Sequence, residues 1–100
     1  MIIIAGEMEF DPQNAGRAHK GALEMAAETV KEAGCIRYRF WADLERPERL
    51  HVYEEWESEA HLAAHARSDH MKAWRALGAE LGVKNRDIRK FETDGPQPLG

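Results

Sequence analysis

The chain has 100 residues, 43% hydrophobic and 32% charged, with a net charge of −4. That length and balance describe one globular domain and exclude a collagen, a disordered tail or a disulfide scaffold, since the single Cys35 has no internal partner. No apolar run approaches the roughly 18 residues of a membrane span, and mild acidity is the wrong sign for binding nucleic-acid phosphates. Met1 to Phe10 lacks the basic start and small-residue cleavage site of a secretory leader, so a cytoplasmic protein is expected.

Ile2 to Phe10 reads as a strand whose even positions, Ile2, Ile4, Gly6, Met8 and Phe10, form the drier face. Asp11-Pro12 has the residues of a helix start. Ala15, Ala18, Ala22, Ala26, Val30 and Ala33 follow at helical spacing, and Gly34 suits the left-handed end of that helix. Cys35 to Asp43 alternates again, with Ile36, Tyr38, Phe40 and Ala42 on one face and Cys35, Arg37, Arg39 and Trp41 on the other. A charged turn around Pro47 leads to a third strand, Leu50 to Glu57, with Leu50, Val52, Glu54 and Trp56 on its even face. Ser58 caps a short helix carrying His61, Leu62 and His65, and Ser68-Asp69 caps the next. There His70, Met71, Trp74, Leu77, Gly78 and Leu81 make a clear helical stripe. Asn85 to Thr93 is a charged last strand in which the odd spacing of Ile88 and Phe91 suggests a bulge.

The order β-α-β-β-α-β, with its last helix in two pieces, predicts an α+β fold of the ferredoxin-like kind. That is a four-stranded antiparallel sheet with helices on one face. Residues 1–93 form the domain and 94–100, with two Pro and two Gly, a C-terminal tail. The other sheet face carries Ile3, Ala5, Trp41 and Tyr53 with no helix to cover them, which predicts a homodimer packed sheet to sheet.

Four of the five His and two of the three Trp lie between His51 and Trp74. With the even faces turned to the helices, Tyr38, Phe40, Val52, Trp56, Met71 and Trp74 surround a space suited to a small aromatic molecule. Glu54, His65 and His70 point into it, and an apolar pocket with a few convergent polar groups is the usual form of a small-molecule site. The His61-x3-His65 spacing is that of two metal ligands, but the helix stripe sends His61 to the surface and no second such motif occurs, so no metal site is expected. No phosphate loop or nucleophile elbow occurs, and flavin and nicotinamide have no motif support.

The run Tyr53-Glu54-Glu55-Trp56-Glu57-Ser58-Glu59-Ala60-His61-Leu62-Ala63-Ala64-His65, then Ser68-Asp69-His70-Met71, with Gly34-Cys35-Ile36-Arg37-Tyr38 upstream, resembles the antibiotic biosynthesis monooxygenase (ABM) domain, in its quinol-monooxygenase branch. The likeness runs from Ile2 to about Glu92. It implies a dimeric α+β barrel and an enzyme that oxidises phenols, quinols or polyketide-like aromatics with O2, using no metal, haem or flavin. On that reading His65 or His70 removes a proton, Glu54 orients it, and Tyr38, Trp56 and Trp74 line an aromatic slot. Gly6 and His65 stand where the haem-degrading branch has an Asn and a Trp, which speaks against haem degradation. The same pocket would also serve a non-catalytic small-molecule binding or stress-response module, or an isomerase of a small metabolite.

Overall fold

The computed structural model describes residues 1–100. Its elements are β1 (Ile2–Glu9), a single 3-10 turn (Pro12–Asn14), α1 (Ala15–Thr29), β2 (Cys35–Ala42), β3 (Arg49–Trp56), α2 (Glu59–Ala66), α3 (Asp69–Glu80) and β4 (Lys84–Glu92). The sheet order is β2-β3-β1-β4 with every pairing antiparallel. This is the ferredoxin-like arrangement expected from the element order. Residues 93–100 hold no helix or strand.

Alternation decides which side chains meet the helices, because successive residues of a strand point to opposite faces. Ile2, Ile4, Met8 and Phe10 from the first strand and its end, with Leu50, Val52 and Trp56 from β3, are all buried under the helical layer. Trp56 is completely buried, so truncating it to Ala would cost about 3–5 kcal/mol. The hydroxyls of Ser58 and Ser68 accept the N–H groups of His61 and Met71, so each cap fixes where its helix begins. On α1, Gly21 faces α3 closely: a side chain there would run into Leu77 and lie 3.3 Å from the Trp74 ring. The missing side chain lets Trp74 sit down between α1 and the sheet.

Four local expectations need correction. The Asp11 side chain makes no capping bond, the chain first turns as a 3-10 segment, and α1 begins at Ala15. The helix also ends at Thr29, and its buried stripe is Ala18, Ala22, Met25 and Thr29, with Val30 exposed. Met25 fills what an alanine stripe alone would leave empty, and the buried Thr29 hydroxyl donates to the Met25 carbonyl at 2.7 Å.

In β2 a register shift between Cys35 and Arg37 turns Ile36 outward and packs Cys35 against the core. Cys35 therefore lies on the helix side. Burial pushes its thiol up to about 11, which removes it as a nucleophile near neutrality. In β4 the spacing of Ile88 and Phe91 reflects two opposite faces, since Ile88 pairs with Gly6 and Phe91 with Ile3. The irregularity in that strand comes earlier, opposite Met8, where Asn85 has φ 52°.

Candidate active site

Between the sheet and the α2–α3 corner lies a cavity of about 180 Å³. Tyr38, Phe40, Val52 and Glu54 form its floor on the strands, and His65, Met71 and Trp74 close it from the helices. The sequence places all seven of these together, and the structure does too. Phe40 and Trp74 meet with ring centroids 5.2 Å apart, and Tyr38 and Phe40 at 5.5 Å in an edge-to-face contact. These aromatic walls give a flat, dry slot.

The remaining two expected site residues lie elsewhere. Trp56 is buried beneath the site and does not border the cavity. Its indole N–H donates to Glu54 Oε1 at 2.8 Å, so it holds the carboxyl in place. His70 faces a separate groove between α1 and α3. Glu54 forms no hydrogen bond to either histidine, so it does not orient them.

That part belongs to Glu32, a residue the sequence reading passed over. Glu32 Oε2 accepts from His65 Nδ1 at 2.6 Å and from His70 Nε2 at 2.8 Å. Glu32 sits in the loop between α1 and β2, where helical spacing has ended. The signal that could have found it is Gly34 two residues later. Gly34 has φ 80°, and a side chain there would strike the His61 ring, so this loop must pass tightly under α2. That passage delivers Glu32 to the two imidazoles. His61 itself is half-buried, and its Nδ1 lies 2.8 Å from the Ser58 hydroxyl.

A carboxylate can only accept, so each imidazole bonded to Glu32 presents N–H to it. For His65 this fixes the proton on Nδ1 and leaves Nε2 as a lone pair, with no protein partner. Burial lowers the affinity of His65 for a second proton, against the opposing pull of the Glu32 hydrogen bond. His65 is therefore neutral at pH 7 and held between Trp56, at 4.7 Å, and Tyr38, at 5.5 Å.

Burial also pushes the Glu54 carboxyl up to about 7, with the Glu32 charge adding to the rise and the Trp56 N–H opposing it. A carboxyl raised that far can both give and take a proton near neutral pH. The buried Tyr38 phenol is held protonated, mainly by burial and then by the Glu54 charge. The site thus presents a neutral base, a carboxyl poised to give or take a proton, and a phenolic donor around one apolar cavity.

Glu32, His65 and His70 are also the group whose ligand atoms lie within 4.8 Å of one another, two imidazoles and a carboxylate. Such a set suits a divalent metal. Here its three atoms already satisfy one another by hydrogen bonds. This trio differs from the His61–His65 pair that sequence spacing suggested.

The profile of antibiotic biosynthesis monooxygenases matches residues 1–77. The Escherichia coli (strain K12) protein YgiN, named a probable quinol monooxygenase, is 30% identical over 87 residues, which covers 74% of this chain and 81% of YgiN. Among solved structures, a conserved protein of Methanosarcina mazei Go1 is 33% identical with a TM-score of 0.82, covering 93% of this chain and 92% of that one. A Deinococcus radiodurans protein assigned to the same monooxygenases superposes with a TM-score of 0.92 at 20% identity, covering 100% and 99%, a likeness of fold. The chain belongs to the antibiotic biosynthesis monooxygenase family.

Proposed function

We propose that this protein is a cofactor-independent monooxygenase that oxidises a small aromatic quinol or phenol with O2. The observation that carries the reading is the His65 imidazole. Its Nδ1 is pinned by Glu32, its Nε2 is without a partner, and it borders an aromatic-lined cavity beside Glu54. A non-catalytic binding module has no need for a base whose free nitrogen is left without a protein partner on a residue that lines an apolar cavity, and that favours the enzyme over a binding role.

His65 Nε2 takes a proton from the substrate hydroxyl, and the resulting phenolate is electron-rich enough to pass one electron to O2. The imidazolium formed, backed by the Glu32 carboxylate, is a positive charge beside the nascent superoxide. Superoxide and ring radical then combine at a ring carbon that bears hydrogen, and the His65 imidazolium returns its proton to the peroxide. The O–O bond breaks as the Glu54 carboxyl protonates the distal oxygen, which leaves as water, while the ring C–H proton passes to the Glu54 carboxylate and its electron pair forms the new C=O. For a hydroquinone the balance is one quinol plus one O2 giving one hydroxyquinone plus one water. All four electrons come from the substrate, two from the quinol and two from the ring carbon, so no further reductant enters. Tyr38, Phe40 and Trp74 hold the ring flat and keep bulk water away from the peroxide.

The working unit in this reading is a homodimer. The open face of the sheet places Phe91 beside Ile3, Tyr53 beside Ala5 and Trp41 beside His51. Trp41 is 45% exposed and Phe91 50%. Arg37, Arg39 and Arg89 share that face with Glu7, Glu55 and Asp87, so a second copy offers matching apolar surface and opposite charges. O2 uptake with a panel of hydroquinones, without added cofactor, tests the activity. Uptake in the wild type that is lost in His65→Ala supports it, and uptake unchanged by that substitution overturns it.

A further inference from the structure

A second cavity, of about 250 Å³, adjoins the first on the side where α3 crosses the ends of β1 and β4. The two share Met8, Met71, Trp74 and Arg86 as common walls, so they lie side by side with Arg86 bordering both. The only charged groups lining the second cavity are Arg75 and Arg86, and no carboxylate lines it. In a chain with 18 acidic and 14 basic residues that segregation needs a reason.

The partners of the neighbouring cations sharpen the point. On β4, Lys84 pairs with Asp11 at 3.5 Å, Arg89 with Asp87 at 3.1 Å and Lys90 with Glu59 at 2.8 Å. Arg86 alone among the β4 cations has no ion pair. Its partner across the mouth, Arg75, donates Nη2 to the Ala66 carbonyl at 2.9 Å, which fixes the guanidinium without neutralising it. The strand irregularity described above lies just before Arg86. Asn85 takes the left-handed conformation and donates to Glu9 Oε2 at 3.3 Å on the open side, and Arg86 then falls on the helix side against Met8. Bulges commonly re-aim a side chain next to a site in this way.

We propose that Arg86, with Arg75 beside it, binds the carboxylate of an aromatic acid whose ring occupies the inner cavity. This inference rests on the quinol-oxidising reading and narrows its substrate class. Arg86 supplies a planar donor pair with no competing carboxylate, the arrangement that suits a bidentate carboxylate. Arg75 adds positive potential at the mouth. The apolar stretch along Met71 and Trp74 carries the linker between ring and acid. Neutral quinols meet the same inner walls and gain nothing from the outer pair.

The test uses (2,5-dihydroxyphenyl)acetate and its methyl ester, which share ring and linker and differ in charge. Binding is measured by calorimetry under anaerobic conditions, so that turnover does not intervene, and O2 uptake is measured separately. The acid should bind about tenfold or more tighter than the ester at low salt, because a charge-assisted bond is lost in the ester. That preference should shrink as salt rises. Arg86→Gln should bring the ratio toward one, Arg86→Lys should keep part of it, and Arg75→Gln should weaken it less. Arg86 is exposed and unpaired, so these variants fold, which far-UV circular dichroism verifies. Equal binding of acid and ester, an acid preference that survives Arg86→Gln, or no binding of either overturns the proposal. Arg86-dependent acid binding without any O2 uptake supports the carboxylate site and sinks the monooxygenase reading. O2 uptake without acid preference does the reverse.

Discussion

Glu54→Gln should stabilise the protein at alkaline pH and do little at acid pH. In the fold Glu54 is 7% exposed and the pKa of its carboxyl rises from 4.5 to about 7. A shift of that size corresponds to roughly 3 kcal/mol at about 1.4 kcal/mol per unit. The sign follows from proton counting. Below pH 4.5 both folded and unfolded chains hold the proton and nothing is lost. Between 4.5 and about 7 the unfolded chain releases it first, so stability falls as pH rises, and above about 7 the full penalty is present.

Gln keeps an oxygen to accept the Trp56 N–H and carries no charge, so it escapes that penalty. Urea unfolding of both proteins at pH 5 and pH 8.5, at one fixed protein concentration, reads the effect. The stability of Glu54→Gln relative to wild type should rise by about 2–3 kcal/mol between the two, which for a chain of this size is on the order of 10 °C in Tm. Parallel stability curves for the two proteins would refute the reasoning. They would mean that Glu54 is hydrated in the fold, and its part as a proton donor would fall with it.

The remaining predictions concern catalysis and assembly. The rate kcat/KM with a quinol should rise through an acid limb below 6.5, as His65 becomes neutral, and fall above about 7 as Glu54 ionises; Glu54→Gln should lower the rate and remove the alkaline limb. Glu32→Ala frees both imidazoles at once, and it should cost about 1–3 kcal/mol of stability and scramble the His65 tautomer seen by 15N NMR. An unchanged tautomer would show that Glu32 does not fix the base. Phe91→Glu places a charge on the apolar part of the open sheet face and should turn a dimer into a monomer by sedimentation velocity. An unaltered sedimentation coefficient would mean that another surface makes the contact.

How far these features were legible from sequence follows from the kind of signal each residue leaves. Strand alternation is a strong signal, because a one-residue slip turns every side chain to the wrong face. It correctly gave the helix side of β1 and β3, and with it the position of Glu54. Ser58 and Ser68 announced their helices by a side-chain bond made within three residues. Glu32 left no such mark. It is a charged residue in a loop, and its two partners are 33 and 38 positions away. Cys35 and Ile36 were misplaced because a one-residue bulge reverses faces without altering composition. Trp56 was expected on the cavity wall and lies beneath it, because facing the helices and reaching open space are different properties. His70 shares the helix stripe with Trp74, yet its position in the first turn of α3 sends it to the α1 side. The family resemblance drew attention to the right segment, and only the folded geometry separated the base from its neighbours.

The central claim is that His65, held by Glu32, starts a reaction in which O2 oxidises a quinol with no added helper. The most direct measurement is O2 consumption by chelator-treated protein with hydroquinones, set beside His65→Ala and corrected for spontaneous oxidation. The expected result is one O2 consumed per quinol, with the hydroxyquinone as product, and a rate lower by about a hundredfold or more in His65→Ala. Wild-type uptake no faster than spontaneous oxidation, or a His65→Ala protein as fast as wild type, would contradict it.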